Sequence, residues 1–194
     1  MKIRCSSLGK LMTASRSKTE QLSKTAQSYI QELVLEHKYG IKKEWSSRYT
    51  DKGNECEEDS ITLANEVLLD IKTSFDGTTF PFFEDEIPNK DYYYQLQGYM
   101  WLTGKEESLL VYCLTNTPSE IVEDEIRRVH WKEHAIEESE EIRHYVEAKH
   151  NFDHIPLEKR VKVFKIQKDE AVIEAIKEKI ELAREYYNKI IETI

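Results

Sequence analysis

Short strand-like runs set between longer helix-like ones are the feature that most narrows the folds open to this chain. Helical periodicity runs from about Thr25 to His37, with Ile30, Leu33 and Val34 on one face and Gly40 as the stop. It returns from about Asp51 to Val67, where Glu57, Ile61, Ala64 and Leu68 recur at i, i+4, i+7 and i+11. Asp91 to Leu102 reads as a helix closed by Thr103-Gly104, Trp131 to His150 as one long helix, and Lys168 to Ile194 as an amphipathic closing helix. A short helix is expected over residues 6–13 with Ser6 as its N-cap. Between these lie the strand candidates: Leu68 to Thr73 (LLDIKT), Leu109 to Leu114 (LLVYCL), Ile121 to Arg128, and the alternating Val161 to Ile166 (VKVFKI), which suits a sheet edge. There is no internal repeat. This mixed order implies an α/β or α+β fold, in 194 residues that suffice for one domain, 1–194, with a C-terminal helical extension.

Composition excludes several classes. No apolar run approaches the ~20 residues of a membrane span, and MKIRCSSLGKLM lacks the apolar segment of a signal peptide, so no membrane and a cytoplasmic location are expected. Cys5, Cys56 and Cys113 are far apart and form no CxxC pair, which argues for reduced thiols and against a zinc or iron–sulfur site. A net charge of -9 argues against a generic nucleic-acid coat. It leaves room for an enzyme that confines positive charge to one cleft. Glu137, Glu138, Glu140 and Glu141 read as one solvated helical face.

Asp70-Ile71-Lys72 is the sharpest local feature. On a strand, Asp70 and Lys72 project from one face while Ile71 turns into the core. A carboxylate beside an ammonium can hold a divalent cation and stabilise a phosphate or an attacking hydroxide at one point. Taken alone, the same two residues are as readable as a surface ion pair. Glu57 adds weight, because a carboxylate on an inward helical stripe needs a partner or a metal. Gln95 and Tyr99, at i and i+4, share one face of the next helix.

In this order, G-x-x-x-E (Gly53 to Glu57), D-x-K (Asp70, Lys72) and Q-x-x-x-Y (Gln95, Tyr99) resemble the PD-(D/E)XK nucleases. The segments RCSSLGKLM, LLDIKTSFDGTTF and NKDYYYQLQGYMWLTG are most similar to the branch containing phage lambda exonuclease and the YqaJ-like viral recombination nucleases, and the resemblance covers most of residues 1–115. It implies a central mixed β-sheet flanked by helices, a restriction-endonuclease-like core. It also implies Mg²⁺, which Mn²⁺ can replace, held by the Asp70 carboxylate and the Ile71 carbonyl, with Glu57 in the metal shell. Lys72 would position and activate the attacking water, and Gln95 would orient the DNA backbone or the lysine. Tyr99 would support the same face, and Ser6, with Arg4 near it, would meet the terminal phosphate.

One departure stands out. The family carries a further metal-binding aspartate just before the D-x-K strand, and only twelve residues separate Glu57 from Asp70 here. Asp59, turned about 200° from Glu57 around a helix, is a poor substitute, and Asp76 lies beyond the strand; a continuous chain that still cuts DNA would mean that another carboxylate, Asp76 or Glu66, has taken over. The passage from helix to strand without a turn residue predicts a break or a sharp turn within residues 64–70. The expected function is a Mg²⁺-dependent deoxyribonuclease, a 5′-to-3′ exonuclease on double-stranded DNA ends in phage recombination or repair. Its expected partners are a single-strand annealing protein and further copies of itself in a ring-like trimer. The rivals are a nuclease-like fold that has lost its metal and only holds DNA or a protein, and a prophage assembly module.

Overall fold

The computed structural model describes residues 1–43, 47, 50–53, 67–133 and 139–194; Cys56, Glu57, Asp59 and Glu66 lie outside the described residues, as does most of the helix expected over 51–67. Residues 50–53 are helical, whereas Val67, expected to end that helix, is already in a β-bridge.

Three strands form a mixed sheet in the order β1-β2-β3. β1 (Leu68–Thr73) runs parallel to β2 (Glu107–Cys113), with Asp70 beside Leu110 and Lys72 beside Tyr112. β3 (Val161–Gln167) closes the sheet antiparallel to β2. Parallel neighbours need a long crossover. The chain between β1 and β2 carries the helix α3 (Lys90–Thr103), begun by Asn89, whose side chain accepts from the Asp91 N–H, and ended by Gly104 at φ 70°. The fold is α+β, a mixed sheet flanked by helices, as the sequence led us to expect.

The amino-terminal elements are a 3₁₀ turn, Cys5–Ser7, running into α1 (Leu8–Met12). Ser6 lies inside that turn, so it is not the N-cap the sequence suggested. α2 (Lys24–Tyr39) is capped by Ser23, which accepts from the Ala26 N–H, and closed by Gly40 in the left-handed region, as read from the sequence.

Two sequence expectations fail in the carboxy-terminal half. Residues 121–128 are not a strand but part of α4 (Ser119–Lys132). The pairs Asp124–Arg127 and Glu125–Arg128 show why: partners three apart meet on a helix and point away from each other on a strand. Nor is Trp131 to His150 one helix. Ser139 has extended backbone, φ -101° and ψ 117°, and caps a separate α5 (Glu140–His150) by accepting from the Ile142 N–H. The closing helix α6 (Glu170–Ile191) starts at Asp169, which accepts from the Ala171 and Val172 N–H groups.

Two apolar cores lie on either side of α3. Leu96 and Met100 of α3 pack with Leu68, Leu110, Tyr112, Phe164 and Ile166 of the sheet. Leu8, Leu11, Ile30, Val34, Ile176 and Ala183 join α1, α2 and α6. Gly98 lets α1 reach α3: a Cβ there would lie 2.4 Å from Leu8 Cδ1. Ile71 belongs to neither core and is half-buried, contrary to expectation; the buried positions of β1 are Leu68 and Asp70. α3 covers the face that carries the even-numbered side chains, and this decides which face is inward. Among the described residues no helix is long and apolar enough to cross a membrane.

Candidate active site

β1 delivers Asp70 and Lys72 to the face beneath α3, because side chains alternate along a strand and the neighbouring positions on that face, Leu110 and Tyr112, are buried. Lys72 Nζ lies 2.9 Å from Asp70 Oδ1, with side-chain exposures of only 13% and 9%. Such a pair tolerates burial because each charge offsets the desolvation of the other. The ammonium also lies over the ring of Tyr92, 5.2 Å from its centroid. Tyr92 meets Tyr112 edge-on, with centroids 6.2 Å apart. Burial, with the nearby Tyr92 and Asp70, drives the Tyr112 hydroxyl far above its usual pKa, so it stays protonated.

Ile71 contributes backbone. The Ser74 N–H donates to the Cys113 carbonyl of β2 at 2.9 Å. Backbone groups alternate along a strand, so the Ile71 carbonyl faces away from β2. A carboxylate and a backbone carbonyl are hard oxygens of the kind Mg²⁺ and Mn²⁺ take. Glu57 lies outside the described residues. Among the described residues no three His, Cys, Asp or Glu side chains gather around a common point. Asp76 does not supply the missing carboxylate. Its Oδ1 accepts from the Thr78 N–H (3.0 Å), the Thr78 hydroxyl (2.7 Å) and the Thr79 N–H (3.0 Å), which commits it to its own turn.

A cavity of about 490 Å³ opens over Lys72, walled by Thr73, Ser74, Thr79, Asn89, Tyr92 and Tyr112. Gln95 and Ser6 are not among the described residues that line it. Gln95 is buried in α3 and donates to the Tyr99 hydroxyl at 3.2 Å, as the i, i+4 spacing implied. Burial raises the Tyr99 pKa. Gln95 works against the rise, Cys5 and Asp70 add to it, and Lys72 lowers it.

Arg4 and Ser6 are exposed, on the amino-terminal turn that packs against α3 at Gly98. Arg4 opens onto a second cavity, of about 900 Å³, together with Lys2, Lys10, Lys42 and Lys43. There Lys42 pairs with Glu36 at 3.4 Å and Lys43 with Glu32 at 3.1 Å. Cys5 and Cys113 form no disulfide with each other; Cys56 lies outside the described residues.

The sequence reading missed two residues. Tyr92 gave no signal, because its contact with Lys72 depends on how α3 lies over β1. Lys52 gave none either. It is fully buried, and its ammonium donates to the carbonyls of Phe75 (2.9 Å) and Thr115 (2.8 Å), tying together the chain just beyond β1 and β2.

Solved structures resemble this chain from end to end. A phage-related exonuclease from Haemophilus somnus 129PT is 27% identical, with a TM-score of 0.77 over 100% of this chain and 96% of that one. LHK-Exo in complex with dAMP is 18% identical, with a TM-score of 0.61 over 99% of this chain and 90% of that one. A further structure of LHK-Exo, described as an alkaline exonuclease from Laribacter hongkongensis, is 14% identical, with a TM-score of 0.60 and the same coverage. At these lower identities the last two show a shared fold. No protein-family model matches the chain, and no curated protein matches it in sequence.

Proposed function

We propose that this chain, whose exonuclease fold is consistent with the phage lambda exonuclease and YqaJ-like branch of the PD-(D/E)XK nucleases, is a Mg²⁺-dependent deoxyribonuclease. We take it to be a 5′-to-3′ exonuclease acting on double-stranded ends in phage recombination or repair. The observation that carries the proposal is the buried Asp70–Lys72 pair, held at 2.9 Å, whose lysine, though not its aspartate, lines a cavity of about 490 Å³.

In this reading the Asp70 carboxylate and the Ile71 carbonyl would hold the divalent ion, with Glu57 in the metal shell. Mg²⁺ or Mn²⁺ held there would supply a Lewis acid and lower the pKa of a coordinated water. Lys72 positions the attacking water and offsets the negative charge that grows on the phosphate oxygens. Gln95 and Tyr99 brace the same face against the DNA backbone. Arg4 and Ser6 take the terminal phosphate, and the basic residues around Arg4 offer the strand a path through an otherwise acidic molecule. A single-strand annealing protein and further copies of the chain, in a trimer, are the partners this role calls for.

A second reading rests on the metal-binding aspartate that the sequence lacks before the D-x-K strand: without it the fold would hold DNA or a protein partner and not cut. Calorimetric titration with Mn²⁺, run beside cleavage of end-labelled linear duplex, separates the two. Saturable binding that Asp70→Asn removes, together with metal-dependent release of nucleotides from one strand end, supports the nuclease. Retention of DNA with neither metal binding nor cleavage supports the second reading.

A further inference from the structure

We infer that the ring of Tyr92 is the positioning residue for Lys72, an assignment that rests on the nuclease reading for its kinetic consequence but not for its geometry. The lysine side chain is only 13% exposed, and its ammonium sits between the Asp70 carboxylate at 2.9 Å and the Tyr92 ring at 5.2 Å. A four-carbon stem has many rotamers, and each fixed contact of the ammonium narrows them. The negative face of an aromatic ring removes most of that freedom, because the ammonium gains on it only from above.

The ring is itself held on two sides. Tyr112, buried on β2 directly beside Lys72, meets Tyr92 edge-on. The first turn of α3 is pinned by its Asn89 cap and by α1, which approaches so closely at Gly9 that a Cβ there would fall 2.0 Å from Asp91 Oδ1. Tyr92 also forms part of the wall of the cavity that Lys72 lines. The chain therefore fixes the direction from which the ammonium addresses a bound phosphodiester through an aromatic face contributed by a different element. The contact is with the face of the ring, which phenylalanine keeps and an aliphatic residue does not.

The test compares wild type, Tyr92→Phe, Tyr92→Leu and Tyr92→Met by two readouts. The first is the Lys72 ¹³Cε–¹Hε resonance in lysine-labelled protein, assigned by its loss in Lys72→Arg. An ammonium above a ring places those protons in the upfield ring-current region. The displacement is expected in wild type and Tyr92→Phe and absent in whichever aliphatic variant folds. The second readout is cleavage of linear duplex: the aliphatic variant loses roughly tenfold in kcat at unchanged KM, the size of a partly desolvated cation–π contact, and the phenylalanine variant keeps the wild-type rate. An undisplaced Lys72 resonance in wild type, or one equally displaced in the aliphatic variant, overturns the assignment. A loss of kcat in Tyr92→Phe equal to that in the aliphatic variant also overturns it. If wild type cuts no DNA with Mg²⁺ or Mn²⁺, the nuclease reading fails, and the resonance still decides the role of the ring.

Discussion

Lys72 brings a positive charge into a nearly closed space, which is costly unless the charge has work to do or a partner to meet. Its partner Asp70 belongs to the same strand, so the pair survives small movements of the surrounding helices. Replacing the lysine by alanine is expected to leave the fold intact and to lower Mg²⁺-dependent cleavage by ~10²–10³, the usual cost of losing a positioned stabilising charge. Wild-type activity in purified Lys72→Ala protein would remove Lys72 from the mechanism. Lys52 has the opposite weight, structural rather than chemical. Its ammonium satisfies two carbonyls just past the ends of β1 and β2, so Lys52→Met should cost about 2–4 kcal/mol in denaturant unfolding by leaving both unsatisfied. Asp76 offers a pH signature. Partial burial works against its charge, but the hydrogen bonds from Thr78 and Thr79 outweigh it and hold its carboxyl below the usual range. A depressed folded pKa contributes stability above the unfolded value of about 3.9 and loses it as pH falls through the folded value. Asp76→Ala should therefore destabilise the protein at pH 7, and the difference should shrink on acidification below pH 4.

At the level of elements, α3 is the part that makes a site out of a strand. It crosses from β1 to β2, covers the Asp70–Lys72 face, and carries Tyr92, Gln95 and Tyr99 on successive turns. Its seating depends on α1. A Cβ at Gly9 would lie 2.9 Å from the Asp91 Cα, a backbone atom that cannot swing aside. Alanine there gains helix propensity of about 1 kcal/mol, but the overpacking it forces costs about 1–3 kcal/mol. Gly9→Ala is thus expected to be less stable by thermal melting and to show a perturbed Lys72 resonance, because it pushes on the first turn of α3. Elements with a clean period and a glycine stop, such as α2 before Gly40, were legible in the sequence, though its Ser23 cap was not read there. The helix α4 was not: Ile121, Val122 and Ile126 are β-branched, which favours a strand locally, and the acid–base pairs three apart that fit the helix are local electrostatics that apolar periodicity does not register.

For the whole molecule, a charge of -9 beside a basic cavity makes a specific demand on binding to DNA. Affinity for duplex should fall steeply with salt, with a slope set by the few phosphates neutralised near Arg4, and Lys10→Ala should flatten that slope by about one contact. Light scattering tests the trimer: a mass near three times 23.0 kDa at micromolar concentration is expected, and a monomer would count against it.

The sequence by itself determined the order of the motifs, the strand that sets Asp70 and Lys72 on one face, and the helix that sets Gln95 against Tyr99. Each of these follows from a repeat of two or of 3.6 residues and needs no knowledge of the rest of the chain. Only the tertiary structure decided that the Asp70–Lys72 face, and not Ile71, lies beneath α3. It alone assigned Lys52 to the ends of two strands, and Tyr92 to the lysine. Those outcomes depend on which elements pack together, and contacts between residues about twenty or more apart in the chain leave no periodicity to read.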